Sequence, residues 1–128
     1  MISIIVTIQG ESDTKPYTVN YHYPKKSDEM IFFQAAKMID ERLCKGLRIN
    51  INETITIFAS YIVAELRSGR TGKEIASNIT RILTPGQVLI GVPESLREVV
   101  FVTLVDHIKE TIVIQTPIPV NEYVLGAL

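Results

Sequence analysis

The segment Val99-Val100-Phe101-Val102-Thr103-Leu104-Val105 constrains the fold more than any other part of the chain. Its β-branched and aromatic residues read as a strand. Residues Thr111 to Thr116, beyond an Asp106-His107-Ile108-Lys109-Glu110 connection, read as its antiparallel partner. A surface hairpin alternates apolar and polar residues, but this strand is apolar on both faces, the pattern of a strand covered above and below. The 128 residues suffice for one hydrophobic core, so residues 1–128 are expected to form a single domain. A helix layer of that size covers one face of the hairpin. Cover for the other must come from a second subunit or from the N-terminal part of the chain, which can alternatively add strands to a neighbour's sheet edge.

That N-terminal part reads as another hairpin. Ile2 to Gln9 is rich in β-branched residues, Gly10 to Lys15 is polar and turn-prone, and Tyr17, Val19, Tyr21 and Tyr23 alternate with Thr18, Asn20 and His22. Three helices follow. The first starts near Ser27 or Asp28, carries Phe32, Ala36, Ile39 and Leu43 at helical spacing, and stops at Gly46. The second opens with a capping box between Asn50 and Glu53, buries Ile55, Phe58, Ile62 and Leu66, leaves Arg67 to solvent or a partner, and ends at Gly69. The third repeats the box with Thr71 and Glu74 and runs through Ile75, Ile79, Ile82 and Leu83. A short fourth helix opens at Thr84-Pro85-Gly86-Gln87, and the chain turns at Gly91-Val92-Pro93-Glu94. The fold class is α+β: a three-to-four-helix layer, a C-terminal antiparallel β-hairpin and an additional N-terminal β-hairpin.

Charge and composition narrow the chemistry. Thirteen Lys and Arg against fourteen Asp and Glu leave a net charge of -1, which offers no footprint for nucleic acid or anionic lipid. The apolar start lacks a basic n-region and a small-residue cleavage site and ends too early to span a bilayer, so a cytoplasmic protein is expected, with no membrane partner. One Cys forms no internal disulfide. His22 and His107 sit in no ligand motif and read as surface imidazoles. Cys44, in the last turn of the first helix, reads as a partly buried small side chain whose thiolate the helix dipole disfavours. Ser68-Gly69-Arg70-Thr71-Gly72-Lys73 lacks the full phosphate-loop pattern and reads as an interhelix loop. Asp40 and Glu41 are adjacent and diverge around their helix, so they form no acid/base pair, and Glu41 and Arg42 are left to surface or interface contacts. No catalytic, cofactor-binding or metal-ligating residue is assigned.

Glu41-Arg42-Leu43-Cys44-Lys45-Gly46-Leu47-Arg48-Ile49-Asn50, followed by Glu53 and the Ser68 to Glu74 loop, resembles the urease gamma subunit family. The more specific match is Ile82-Leu83-Thr84-Pro85-Gly86-Gln87-Val88-Leu89-Ile90-Gly91-Val92-Pro93-Glu94, since identities in a loop are not forced by periodicity. The resemblance spans Glu29 to Ile118. It implies a urease gamma-like core over 29–118, an N-terminal hairpin extension over 1–28 and a tail over 119–128.

The function implied is that of a non-catalytic structural subunit of a urease or urease-like nickel-dependent amidohydrolase, acting by assembly with alpha- and beta-type subunits. The resemblance places the nickel, its His ligands and a carbamylated Lys in the alpha subunit, with no cofactor on this chain. The alternative is a stand-alone gamma-like protein that self-associates as a homo-oligomer without urease activity. The family's usual turn Gly is absent from Asp106-His107-Ile108. Its closing His-Asn-Pro-Ile is replaced by Gln115-Thr116-Pro117-Ile118.

Overall fold

A computed structural model of the chain describes residues 1–11 and 15–120. Its order is β1 (Ile2–Gln9), β2 (Tyr17–Tyr23), α1 (Lys26–Cys44), α2 (Ile51–Arg67), α3 (Gly72–Ile79), a 3-10 turn at Pro85–Gln87, α4 (Val92–Ser95), β3 (Glu98–Val105) and β4 (Ile108–Gln115). The four strands form one antiparallel sheet in the order β2-β1-β3-β4. The fold is α+β, as expected. The expected turn from Gly10 to Lys15 lies in part, and the expected tail mostly, outside the described residues.

The two hairpins join in a way that periodicity does not specify. β1 pairs with β3 over its whole length, from Ile2 opposite Val105 to Gln9 opposite Glu98. The N-terminal hairpin is therefore neither a lid over the C-terminal hairpin nor a strand lent to a neighbour. It widens the sheet within the same chain, because β3 leaves one edge of unpaired N–H and C=O groups that an equally long β-branched strand can satisfy. The inward residues Ile2, Ile4, Val6 and Ile8 are fully buried and join Val99, Phe101, Val105, Ile112 and Ile114 against the helices. The outward row stays open. Val102 is exposed, and Val100 and Leu104 are half-buried. The expectation that β3 is covered on both faces is thus corrected for the isolated chain.

The helices meet the sheet through periodic apolar faces. In α2, Ile55, Phe58, Ile62 and Leu66 are buried as expected, and Ile57, Ala59 and Val63 widen that face. Asn50 Oδ1 accepts from Glu53 N–H at 2.9 Å and Glu53 Oε1 accepts from Asn50 N–H at 3.0 Å. Thr71 and Glu74 repeat the capping box at α3. β2 attaches to α1 through aromatic rings. Phe32 lies 5.6 Å from Tyr21 in an edge-on contact and 5.4 Å from Tyr23, while the Tyr21 hydroxyl is 3.0 Å from Thr56 Oγ1.

Several local expectations are corrected. α1 begins one residue before Ser27, and its N-cap position, Lys25, makes no side-chain cap. The Lys25 carbonyl accepts instead from Asp28 and Glu29 N–H, as in any first turn. α3 stops at Ile79, where turn bonds from Arg81 to Asn78 and from Ile82 to Ile79 replace the helical ladder. Leu83 is still buried, but from a loop. The expected fourth helix at Pro85 is a single 3-10 turn, and the expected turn after Gly91 is α4. β4 starts at Ile108, three residues early, since Val105 pairs directly with Ile108. Asp106 takes the left-handed φ of 57° itself, which a short polar side chain tolerates.

Candidate functional site

The residues screened for chemistry do not converge. His22 and His107 are exposed, in β2 and in the β3–β4 turn. Cys44 is exposed, not partly buried, because it faces away from the Phe32, Ala36 and Ile39 stripe of α1. Asp40 and Glu41 are both on the surface. Arg42 forms an ion pair with Glu53, tying the end of α1 to the start of α2. Residues 68–71 join α2 to α3, with Gly69 at φ 86°, as an interhelix loop. Among the described residues, no group of three or more His, Cys, Asp or Glu is placed to hold a metal ion. No helix among them is long and apolar enough to cross a membrane.

One charged cluster escaped sequence reasoning. Arg67 is exposed, as expected, but it is also paired: its Nη2 donates to Glu29 Oε1 at 2.7 Å and to Asp106 Oδ1 at 3.2 Å, and its guanidinium lies 5.9 Å from the Phe33 ring. The Met1 ammonium completes the cluster, 3.2 Å from Glu29 Oε2 and 3.1 Å from Asp106 Oδ1. Burial pushes Glu29 upward, but hydrogen bonds and charge from Arg67 and the Met1 ammonium outweigh it and hold the carboxyl below its usual range. Asp106 is held low mainly by the hydrogen bond from Arg67. Both carboxylates stay ionised at neutral pH, so neither is poised for proton transfer. The cluster is a tie joining β1, α1, α2 and the β3–β4 turn. The available signal was Glu29 itself, which shares the stripe of Phe32, Ala36 and Ile39.

Two apolar surfaces carry more potential for function than any side-chain cluster. On α1, Met30, Ile31, Phe33 and Met38 are 38–65% exposed on the side away from the core. Phe32, Ala36 and Ile39 are buried on the opposite side, and Gln34, Lys37 and Glu41 share the outer side, so that face of α1 is mixed, with apolar side chains set among polar ones. The second surface is the open face of the sheet. Ile5, Val102 and Val113 there are 45–49% exposed. A groove of about 470 Å³ runs over Ser3, Ile5, Val102, Leu104, Lys109 and Thr111. Clustered exposed apolar side chains of this kind mark protein contact more often than small-molecule binding.

Residues 21–118 match the family model described as "Urease, gamma subunit". The urease subunit gamma of Prochlorococcus marinus (strain MIT 9215) is 30% identical to this chain over 95 residues, 74% of this chain and 95% of that protein. Its counterpart from strain AS9601 shows the same identity and coverage. The outer face of α1 lies wholly inside the matched segment. β1 and the first half of β2 lie before it.

Proposed function

The chain belongs to the urease gamma subunit family, and on that premise we propose that it is a non-catalytic, structural gamma-type subunit of a urease or urease-like nickel-dependent amidohydrolase. It contributes to the hydrolysis of urea to ammonia and carbamate by assembling with alpha- and beta-type subunits in the cytoplasm. The observation that carries this reading is the outer face of α1. Met30, Ile31, Phe33 and Met38 stay exposed on a helix within the family-matched segment, and such a helix gains by burial against another chain. In this reading nickel resides on the alpha subunit, and the donor groups described on this chain do not fit it.

The test is co-expression with alpha- and beta-type urease subunits. The expected outcome is co-purification of all three chains, with urea hydrolysis and bound nickel in the complex and neither in this chain alone. Ile31→Asp together with Met38→Asp should abolish co-purification while leaving the circular dichroism of the isolated chain unchanged. Urea hydrolysis by the chain alone, or a complex indifferent to both substitutions, overturns the reading. A stand-alone oligomeric protein without urease activity is favoured instead where no alpha- and beta-subunit genes accompany the gene for this chain.

A further inference from the structure

The open sheet face is built differently from the face of α1. Ser3, Ile5 and Thr7 of β1 lie beside Leu104, Val102 and Val100 of β3, so one of the two central strands of this face, and Ile5 among its apolar residues, lies outside the family-matched segment. Part of this face is thus built from residues the family match does not cover, and a second copy of the chain carries those same residues.

We propose that the open face of the β2-β1-β3-β4 sheet is a self-association surface on which a second copy of the chain packs face to face. Three observations select a second copy. The centre is occupied by β-branched and aliphatic side chains, Ile5, Val100, Val102 and Val113, without a charge among them. Sheets with such faces stack about 10 Å apart with their strands nearly aligned.

The charges lie at opposite ends of the strands. Lys109 stands beside Leu104 at one end, and Glu98, bonded to Gln115 at 2.7 Å, stands at the other. A two-fold axis lying between the sheets and crossing the strands reverses the strand direction. It sets the Lys109 end of each copy over the Glu98 end of the other, so the face is complementary to itself. A two-fold axis parallel to the strands would set like ends together.

The third observation is size. Four strands about 4.8 Å apart, three of eight residues and one of seven, at about 3.3 Å per residue make a face of roughly 500 Å². The pair thus covers roughly 1,000 Å² before surface relief is counted, near the lower edge of specific association. The expected dimer is accordingly weak, forming at micromolar concentrations.

Sedimentation velocity of the full chain between 1 and 200 µM, used without partners, tests this independently of the urease reading. The expected result is a concentration-dependent shift from monomer to dimer. Val102→Asp or Val113→Glu should weaken association at least tenfold, whereas Met38→Asp on α1 should leave it unchanged. Because Val102 and Val113 are exposed, the thermal transition of each variant should match that of the parent. Lys109→Glu and Glu98→Lys should each weaken the dimer, and the two together should restore it. A monomer at 200 µM overturns the proposal, as does a dimer insensitive to Val102→Asp, one disrupted by Met38→Asp, or failure of the paired charge reversal to restore association.

Discussion

Thr116 holds a φ of 48°, a left-handed conformation that a β-branched residue adopts at a cost. It persists because the Thr116 N–H donates to the Arg97 carbonyl at 2.7 Å and the chain must turn there to bury Pro117 and Ile118. Asn tolerates this region, so Thr116→Asn should stabilise the protein by roughly 1 kcal/mol, raising the melting temperature by a few degrees. An unchanged or lowered melting temperature would show that the side chain contributes something the backbone account omits. The ion cluster also acts at this scale. Because the folded pKa values of Glu29 and Asp106 are depressed, the pair contributes stability that is complete above about pH 4, where these carboxyls titrate in the unfolded chain. That stability is lost as pH falls through the lower folded values. Melting temperatures measured between pH 2 and pH 7 should therefore fall less steeply on acidification for Glu29→Gln combined with Asp106→Asn than for the parent. A parallel fall would exclude the cluster as the source of acid lability. At pH 7, Arg67→Ala should cost roughly 2 kcal/mol. It leaves a buried carboxylate with only the Met1 ammonium beside it, and the partial exposure of Arg67 reduces the full penalty.

Among the elements, α2 contributes most to the core. Its stripe from Ile55 to Leu66 packs against α1 and β3, whereas its N-terminal capping box sits at the surface. The two contributions differ in size and can be measured separately. Leu66→Ala should destabilise by about 2–5 kcal/mol, since it opens a cavity at a fully enclosed site, whereas Asn50→Ala should cost about 1 kcal/mol. Urea denaturation of both variants checks the ranking. A Leu66→Ala cost below that of Asn50→Ala would contradict the packing of α2.

For the whole molecule, the question is whether the N-terminal hairpin is an appendage or part of the core. Ile2, Ile4, Val6 and Ile8 are completely buried. At about 1.5–3 kcal/mol per side chain, their removal withdraws up to about 6–12 kcal/mol, comparable with the entire stability of a domain of this size. Deletion of residues 1–23 should therefore abolish the cooperative thermal transition. A truncated chain melting cooperatively near the parent temperature would mean that β3 tolerates an open edge.

Features that depend on near neighbours are legible along the chain. The Asn50–Glu53 and Thr71–Glu74 boxes, the glycine stops at Gly46 and Gly69 and the buried face of α2 are all legible because helical spacing and capping are local. So is the family resemblance carried by Thr84 to Glu94. How the two hairpins combine emerges only from long-range pairing. Alternation assigns faces to β1 and β3, but edges have no sequence signature, and the Ile2–Val105 pairing joins residues nearly a whole chain apart. For the same reason the continuous apolar run of β3 left its outward cover open. The fold buries Val99, Phe101 and Val105 and leaves Val102 in the open, because widening the sheet satisfies backbone hydrogen bonds without adding a layer above it. Arg67 likewise found Glu29 and Asp106 only once α1, α2 and the β3–β4 turn had met, since ion pairing depends on distance in space and not along the chain.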